Sequence, residues 1–413
     1  KMKKIYYILS LMIFFSCGKD SLSDTQTKLV DVTPPVSQTS ESDNTDATST
    51  DDNSSSSDDE TSTEDSSSSD SSESETFDRK ALLTNWANNI IIPLYDNFNT
   101  NLNLLSEEVT KFNETPNLDN LKLVREKWLN AYKSWQHVEM FNLGKAEETY
   151  FQSKMNVYPS DKERIERNLT SETYSLDNPN NNDAQGFPAL DYMLYGTDES
   201  DEKIIEKYSL ENKKYNTYLS SLVNKMVSNT SVVVNDWNQN KETYINSTEN
   251  TSTSSINKIT NDFIYYYEKL FRANKIGIPA GVFSGSKLPD RVEGYYSKIY
   301  SKDLALEAMS AIENFFVGKK YNSEEKGESL ESYLNFLNSE KNGTSLSKSI
   351  TDQFKIAKET IDKLNNDFAS QVNEDNNKML VAYDEIQKGV VFMKTDMLQS
   401  LSISVDYVDA DGD

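Results

Sequence analysis

Cysteine and histidine each occur once in the 413 residues, as Cys17 and His137. One cysteine cannot make a disulfide within the chain. One of each cannot build the Cys-rich or His-rich zinc sites, which need several such ligands. Haem held by two histidines is excluded, and any Ser-His-Asp or Cys-His machinery would have to run through His137. Cations are the minority, with 42 Lys and Arg against 67 Asp and Glu and a net charge of −25. Nucleic acid is therefore excluded as a partner, because phosphate neutralisation needs clustered Lys and Arg. Glycine (13) and proline (9) are also few, which favours long helices.

The acidity is concentrated near the start. Residues 20–76 hold sixteen acids, one lysine (Lys28) and no aromatic residue, and 28 of the 57 are Ser or Thr. Such a stretch cannot bury enough apolar surface to offset the entropy of ordering. It is expected to be a disordered, self-repelling tether. Ahead of it, Lys1-Met2-Lys3-Lys4 is basic, and residues 5–15 are an apolar run too short to span a bilayer. Ser16 and Cys17 follow. The segment resembles a bacterial lipoprotein signal, cleaved before Cys17, whose thiol then carries the lipid anchor. Lys19-Asp20 is similar to the surface-export signal of Bacteroidetes lipoproteins. The expected division is a signal peptide over 1–16, a linker over 17–76, and folded lobes over 77–245 and 246–413. The expected location is the cell envelope, as an outer-membrane lipoprotein, with the face of the membrane left open.

The folded part reads as helices. Trp86, Ile90, Leu94, Phe98, Leu102, Leu105, Val109 and Phe112 recur at three- and four-residue steps, with an offset at Pro93. Leu118, Leu121, Val124, Trp128, Tyr132, Trp135 and Val138 form a second stripe. Ser160-Asp161-Lys162-Glu163 reads as a capping box. Further stripes run from Tyr215 to Trp237, Ile256 to Ala273, Leu306 to Phe316, Leu346 to Phe368 and Leu380 to Leu401. Only Ile403, Val405 and Tyr407 alternate like a strand. The fold class is therefore all-α: two helical-bundle lobes joined through 240–255, with the boundary near the polar stretch 246–255.

One pattern recurs. Glu139, Asp191 and Glu313 each follow an aliphatic residue and precede a glycine by five positions: Gly144, Gly196 and Gly318. Such a glycine suits the left-handed residue that ends a helix. The acid then sits where the helix dipole disfavours it, which invites a cationic partner, a capping role or a metal. The first and third matches suggest a duplication, with Glu139 and Glu313 in equivalent places.

Together these motifs resemble the imelysin family, in its Bacteroidetes lipoprotein form. The residues that carry the likeness are Trp128 to Gly144, Val157-Tyr158-Pro159, Gly186 to Gly196, Asn274 to Gly281, Arg291 to Tyr296 and the terminal Asp409 to Asp413. The resemblance implies two helical lobes with a site at their interface. It places Gly186, Pro188, Asp191, Glu139, Gly277, Pro279 and Glu293 at that site, with Glu139, Asp191 and Glu293 as candidate ligands for iron or another divalent metal. The family signature Gly-x-His-x-x-Glu, from which metallopeptidase activity was proposed, here reads Gly186-Phe187-Pro188-Ala189-Leu190-Asp191. Proline offers no side-chain lone pair, so hydrolysis loses its histidine ligand. A binding role linked to iron uptake survives that loss better.

Other signals have plainer readings. His137 is expected to pack or cap. The tyrosines at 265–267 and 295–296 are expected at amphipathic helix edges with hydroxyls in water. Ile276 to Gly281 reads as a tight connection, and Asp409 to Asp413 lacks the downstream glutamate of a calcium loop. No haem or nucleotide motif is present. The leading expectation is a monomeric, lipid-anchored binding protein with the membrane and a metal or envelope protein as partners. A metallopeptidase and a surface adhesin are the alternatives.

Overall fold

The computed structural model describes residues 76–171 and 173–407. The expectations for the signal segment, Cys17, the tether and Asp409 to Asp413 lie outside the described residues. Helix α1 runs through Arg79–Thr84, widens to π-helical geometry over Asn85–Ile91, and continues as Ile92–Glu114. The widening sits immediately before Pro93, where a regular helix would lose a hydrogen bond and clash with its preceding turn. The predicted stripe of α1 is buried except for Leu94, which is half-buried. Helix α2 (Leu118–Trp135) is capped by the Asn117 side chain. Its stripe is buried from Leu121 onward, whereas Leu118, the first helical residue, hangs off the end of the packed face and is exposed.

Helix α3 (Gly186–Asp191) also runs into a wide turn, Tyr192–Gly196, and α4 spans Lys214–Asn246. Helix α1 packs on α2 and α4, and α3 packs on both of those. The second half begins with α5, formed by Ser255–Tyr265, a wide stretch Tyr266–Gly277 and one last turn Ile278–Ala280. Then come α6 (Ser301–Phe316), α7 (Leu346–Asp362) and α8, which joins Asn376–Val391, a wide turn Phe392–Met397 and Leu398–Leu401. Helix α7 packs on α6 and α8, α8 packs on α5, and α6 touches both α5 and α2. One hydrophobic core runs through all of them.

The fold is all-α, and three local readings need correction. Among the described residues the only strands are Glu340–Lys341 and Thr344–Ser345, an antiparallel pair. Asn342 and Gly343, with φ of 54° and 74°, make the left-handed turn that joins them. The alternation at 403–407 forms no strand. The Asn261 amide takes the bonds a neighbouring strand would offer: it donates to the Ser404 carbonyl (3.0 Å) and accepts from the Asp406 N–H (3.3 Å). The helix Lys162–Thr170 is capped by Asp161, which accepts from the Arg164 N–H (2.9 Å), and not by Ser160.

The three glycines also differ. Gly318 ends α6 as expected: its N–H bonds the Phe315 carbonyl (3.1 Å) and the Lys319 N–H bonds that of Asn314 (2.9 Å). Helix α2, however, stops at Trp135, so Glu139 lies in the turn beyond it and Gly144 opens the next short helix, Lys145–Glu148. Gly196 closes a wide turn without positive φ.

Candidate functional site

The turn after α2 brings Gln136 and Glu139 against Asn156, which ends the short helix Phe151–Met155. The Tyr132 hydroxyl donates to Asn156 Oδ1 (2.6 Å), and this fixes the amide with its nitrogen toward the acids. Asn156 Nδ2 then donates to Glu139 Oε1 (3.0 Å) and to Glu293 Oε1 (2.9 Å). Gln136 Nε2 also donates to Glu293 Oε1 (3.1 Å). From the wide stretch of α5, Lys275 Nζ reaches Glu293 Oε2 at 2.6 Å. The Ser301 hydroxyl at the start of α6 holds the Glu293 carbonyl (2.7 Å). Glu139, Glu293, Lys275 and Gln136 are all at most 4% exposed. Four buried atoms here have no geometrically satisfied hydrogen-bond partner among the described residues: Glu139 Oε2, Gln136 Oε1, Trp135 Nε1 and the Tyr266 hydroxyl.

Asp191 sits beside this cluster but turns away from it. Its two oxygens accept from the Tyr296 N–H (2.7 Å) and the Ser297 N–H (3.0 Å), so it caps the loop that follows Glu293. Gly186 has φ of 73°, and a Cβ there would run into the Met155 carbonyl. The short helix α3 is thus clamped between residues 155 and 296, with buried Pro188 at its third position. Gly277 and Pro279 shape the end of α5, two and four residues beyond Lys275. A Cβ on Gly277 would press on Tyr383 (2.8 Å) and Phe283 (2.9 Å). The chain does not stop at Gly277 but turns at Gly281, with φ of 80°. Of the seven residues expected here, the structure joins Glu139 and Glu293 through the shared Asn156 amide and places Asp191 one loop away.

Burial dominates the electrostatics. Desolvation disfavours the charged form of Glu139 and pushes its carboxyl up to about 7. The Lys275 ammonium opposes that rise, and the Glu293 carboxylate adds to it. The Asn156 amide and the Trp135 indole N–H also favour the charged form. Burial likewise pushes Asp191 to about 7, against the two amides that it accepts. Tyr132, Tyr158 and Tyr266 are held well above the usual phenol range by burial first and the nearby acids second. The expectation of water-facing hydroxyls at 265–267 fails for Tyr266 and Tyr267, whose rings are fully buried and whose oxygens have no partner among the described residues.

His137 packs as expected. Its Nε2 lies 2.7 Å from Glu307 Oε1, and this bond holds the Glu307 carboxyl below its usual range. His137 and Phe141 also line a cleft of about 480 Å³, with Ile90, Leu94 and Phe315 supplying apolar wall and Asn97, Asn314 and Lys319 polar wall. Behind it, two acids pin the following turn: Asp262 accepts from the Asn142 N–H (3.1 Å) and Asp236 from the Lys145 N–H (3.0 Å).

Sequence reasoning did not single out Gln136, Asn156 or Lys275. All three lay inside or beside quoted motifs, yet a buried lysine has no spacing signature, and an amide bridging two acids is set by tertiary contact alone. The wide geometry of α5 had one faint signal, the dense charge within an otherwise apolar run from Tyr265 to Ile276.

A catalytic metal fits these residues poorly. Both oxygens of Asp191 and of Glu293 are already engaged, and Pro188 stands where the signature has histidine. Among the described residues no three His, Cys, Asp or Glu side chains converge as metal ligands. Comparison with known proteins places the fold and its motifs. The family described as Imelysin (Peptidase M75) matches residues 91–390. The chain belongs to the imelysin family. A solved imelysin-like protein from Psychrobacter arcticum shares the fold with a TM-score of 0.63 at 19% identity, over 80% of this chain and 97% of that one. A second structure, assigned as an iron-regulated protein A precursor from Parabacteroides distasonis, gives 0.60 at 18% identity over 79% and 97%. Iron-regulated protein A of Synechococcus elongatus is 22% identical over 125 residues. That match spans 29% of this imelysin-family chain and 34% of the relative.

Proposed function

We propose that this imelysin-family chain is a non-catalytic binding protein of the cell envelope, held to a membrane by lipid on Cys17 and serving iron supply. The observation that carries the binding reading over hydrolysis is the state of the motif acid. Asp191 spends both oxygens on the Tyr296 and Ser297 amides, and no histidine stands three residues before it. A hydrolytic metal needs open protein ligands and a water position, and Asp191 supplies neither. The iron link rests on two relatives called iron-regulated protein A, and the word precursor in one of those names suits an exported protein. Among the described residues no helix is long and apolar enough to cross a membrane.

The ligand enters the cleft beside His137. It has the mixed apolar and polar lining typical of small-molecule sites, and the cluster at Glu139 is closed. The test is a thermal shift of the purified chain with ferric and ferrous iron, other divalent metals and haem. A ligand at a hundred times its Kd adds about 2.7 kcal/mol. The expected result is a rise in Tm with an iron-bearing ligand, abolished when Asn314→Trp fills the cleft. Chelator-sensitive cleavage of insulin, lost in Asp191→Ala, would establish the peptidase instead. Release from membranes by Cys17→Ser is expected, and retention would refute the anchor.

A further inference from the structure

We propose that the cleft beside His137 is built for a small aromatic anion, its ring against the apolar floor and its negative group at Lys319 and Lys320. This rests on the cleft reading above and names the class of ligand. The floor and the rim come from different elements. Ile90 and Leu94 of α1, Phe141 after α2 and Phe315 of α6 supply the floor. There the Phe141 and Phe315 rings meet edge to face with centroids 5.2 Å apart, a packing that a further ring extends. The rim is the hairpin that follows α6. It is closed by the bridge between Lys319 and Lys326 and by the Gly327 N–H on the Gly318 carbonyl (3.0 Å). It carries Lys319, Lys320 and Tyr321 to the mouth of the cleft.

The rim is preformed. Asn85, 4% exposed in the wide turn of α1, donates from Nδ2 to the carbonyls of Gly318 and Glu328, both at 3.1 Å. One turn on, the Asn89 carbonyl accepts from the Tyr321 N–H (2.8 Å). The wide turn thus ties the hairpin to the floor, and such turns concentrate at functional sites. The charge of the rim is one-sided. Lys319 and Lys320 are 29% and 33% exposed, whereas their partners Glu324 and Glu325 stand 94% and 74% exposed. Pairs with so exposed an acid contribute little, so an anion in the cleft can take both ammonium groups at small cost. Among the described residues Glu324 is the one acid of the lining, in a chain of net charge −25. Iron narrows the class further. Adjacent phenolate oxygens on one ring are hard donors for ferric iron, and their complex unites ring, negative charge and metal.

The experiment is equilibrium dialysis of the full chain with four compounds: vicinal dihydroxybenzoate, its ferric complex, ferric citrate (no ring) and ferric maltol (no charge). The ferric dihydroxybenzoate complex is expected to bind most tightly. Its affinity should fall about tenfold in Lys319→Gln or Lys320→Gln and vanish in Asn314→Trp. Both lysine variants are expected to keep the wild-type Tm, so that lost affinity is not lost fold. Ferric maltol or ferric citrate bound as tightly as the dihydroxybenzoate complex overturns the aromatic-anion class and leaves the iron reading standing. An affinity that neither lysine variant moves does the same. Iron-free dihydroxybenzoate bound as tightly as its complex, and weakened by the same variants, supports the class and removes iron from it. Binding of neither dihydroxybenzoate form overturns the proposal.

Discussion

The wide stretch of α5 carries two buried charge clusters with opposite balance. At its far end, Lys275 is the one ammonium for the carboxylates of Glu293 and Glu139, and Glu139 keeps an oxygen without a donor among the described residues. Near its start, Glu268 alone is met by Lys269 (3.1 Å), Lys394 (3.0 Å), Arg272 (3.7 Å) and the Tyr407 hydroxyl (2.7 Å). Both sites are buried at the acid. Of the cations around Glu268, Lys269 (15% exposed) and Lys394 (19%) reach water, and Arg272 (4%) is buried but also held by the Tyr383 hydroxyl and Gln387, whereas Lys275 is 2% exposed. The difference teaches where charge is structural in this fold. Cations that reach water can relax when their acid is lost, but a cation sealed between two halves of the molecule cannot.

The sharpest break of this comparison is Lys275→Met against Glu268→Gln. Leaving Glu293 buried and unpaired is expected to cost about 3–5 kcal/mol. Glu268→Gln keeps an acceptor for Tyr407 and is expected to cost about 1–3 kcal/mol. Urea unfolding measures both, and equal losses would erase the distinction.

The pH profile comes next. Glu139 and Asp191 are raised by burial from 4.5 and 3.8 to about 7, and so is Asp262. The native state therefore binds more protons than the unfolded chain between roughly pH 4 and 7. Stability from these groups is full at the acid end and falls as pH rises toward 7, by at most about 1.4 kcal/mol per unit for each group. Glu139→Gln is expected to flatten that fall, and a profile unchanged by the substitution would mean that Glu139 stays ionised throughout.

Asp191→Ala removes the acceptor of two amides and is expected to cost about 1–3 kcal/mol, with Asp191→Asn recovering part of it. If instead Asp191→Asn costs as much as Asp191→Ala, the charge matters more than the cap. The smallest effect is expected from His137→Gln. Its Glu307 partner is 35% exposed, and such a pair contributes about 1 kcal/mol or less.

Much of the fold was legible because burial follows a helical period. The stripes of α1 and α2 predicted their buried faces, and scarcity of glycine and proline predicted the long helices. The misreadings were local. The alternation at 403–407 satisfied a strand pattern, but Asn261 supplied the hydrogen bonds. Three glycines with one spacing took three places: Gly318 ends a helix, Gly144 opens one and Gly196 closes a wide turn. At the candidate site, Glu139 and Glu293 were legible as acids in motifs and do meet. Lys275, Asn156 and Gln136 were not, since their roles depend on which residues face them across the joined halves of the molecule.

The central claim is that Lys275 and Glu293 form a self-contained ion pair that closes the carboxylate cluster. The most direct test is the coupling between them, from unfolding of Lys275→Met, Glu293→Gln and the double variant. The account predicts that the double variant regains roughly 2 kcal/mol or more over Lys275→Met, because no buried charge is left unpaired. Losses that simply add in the double variant would contradict it.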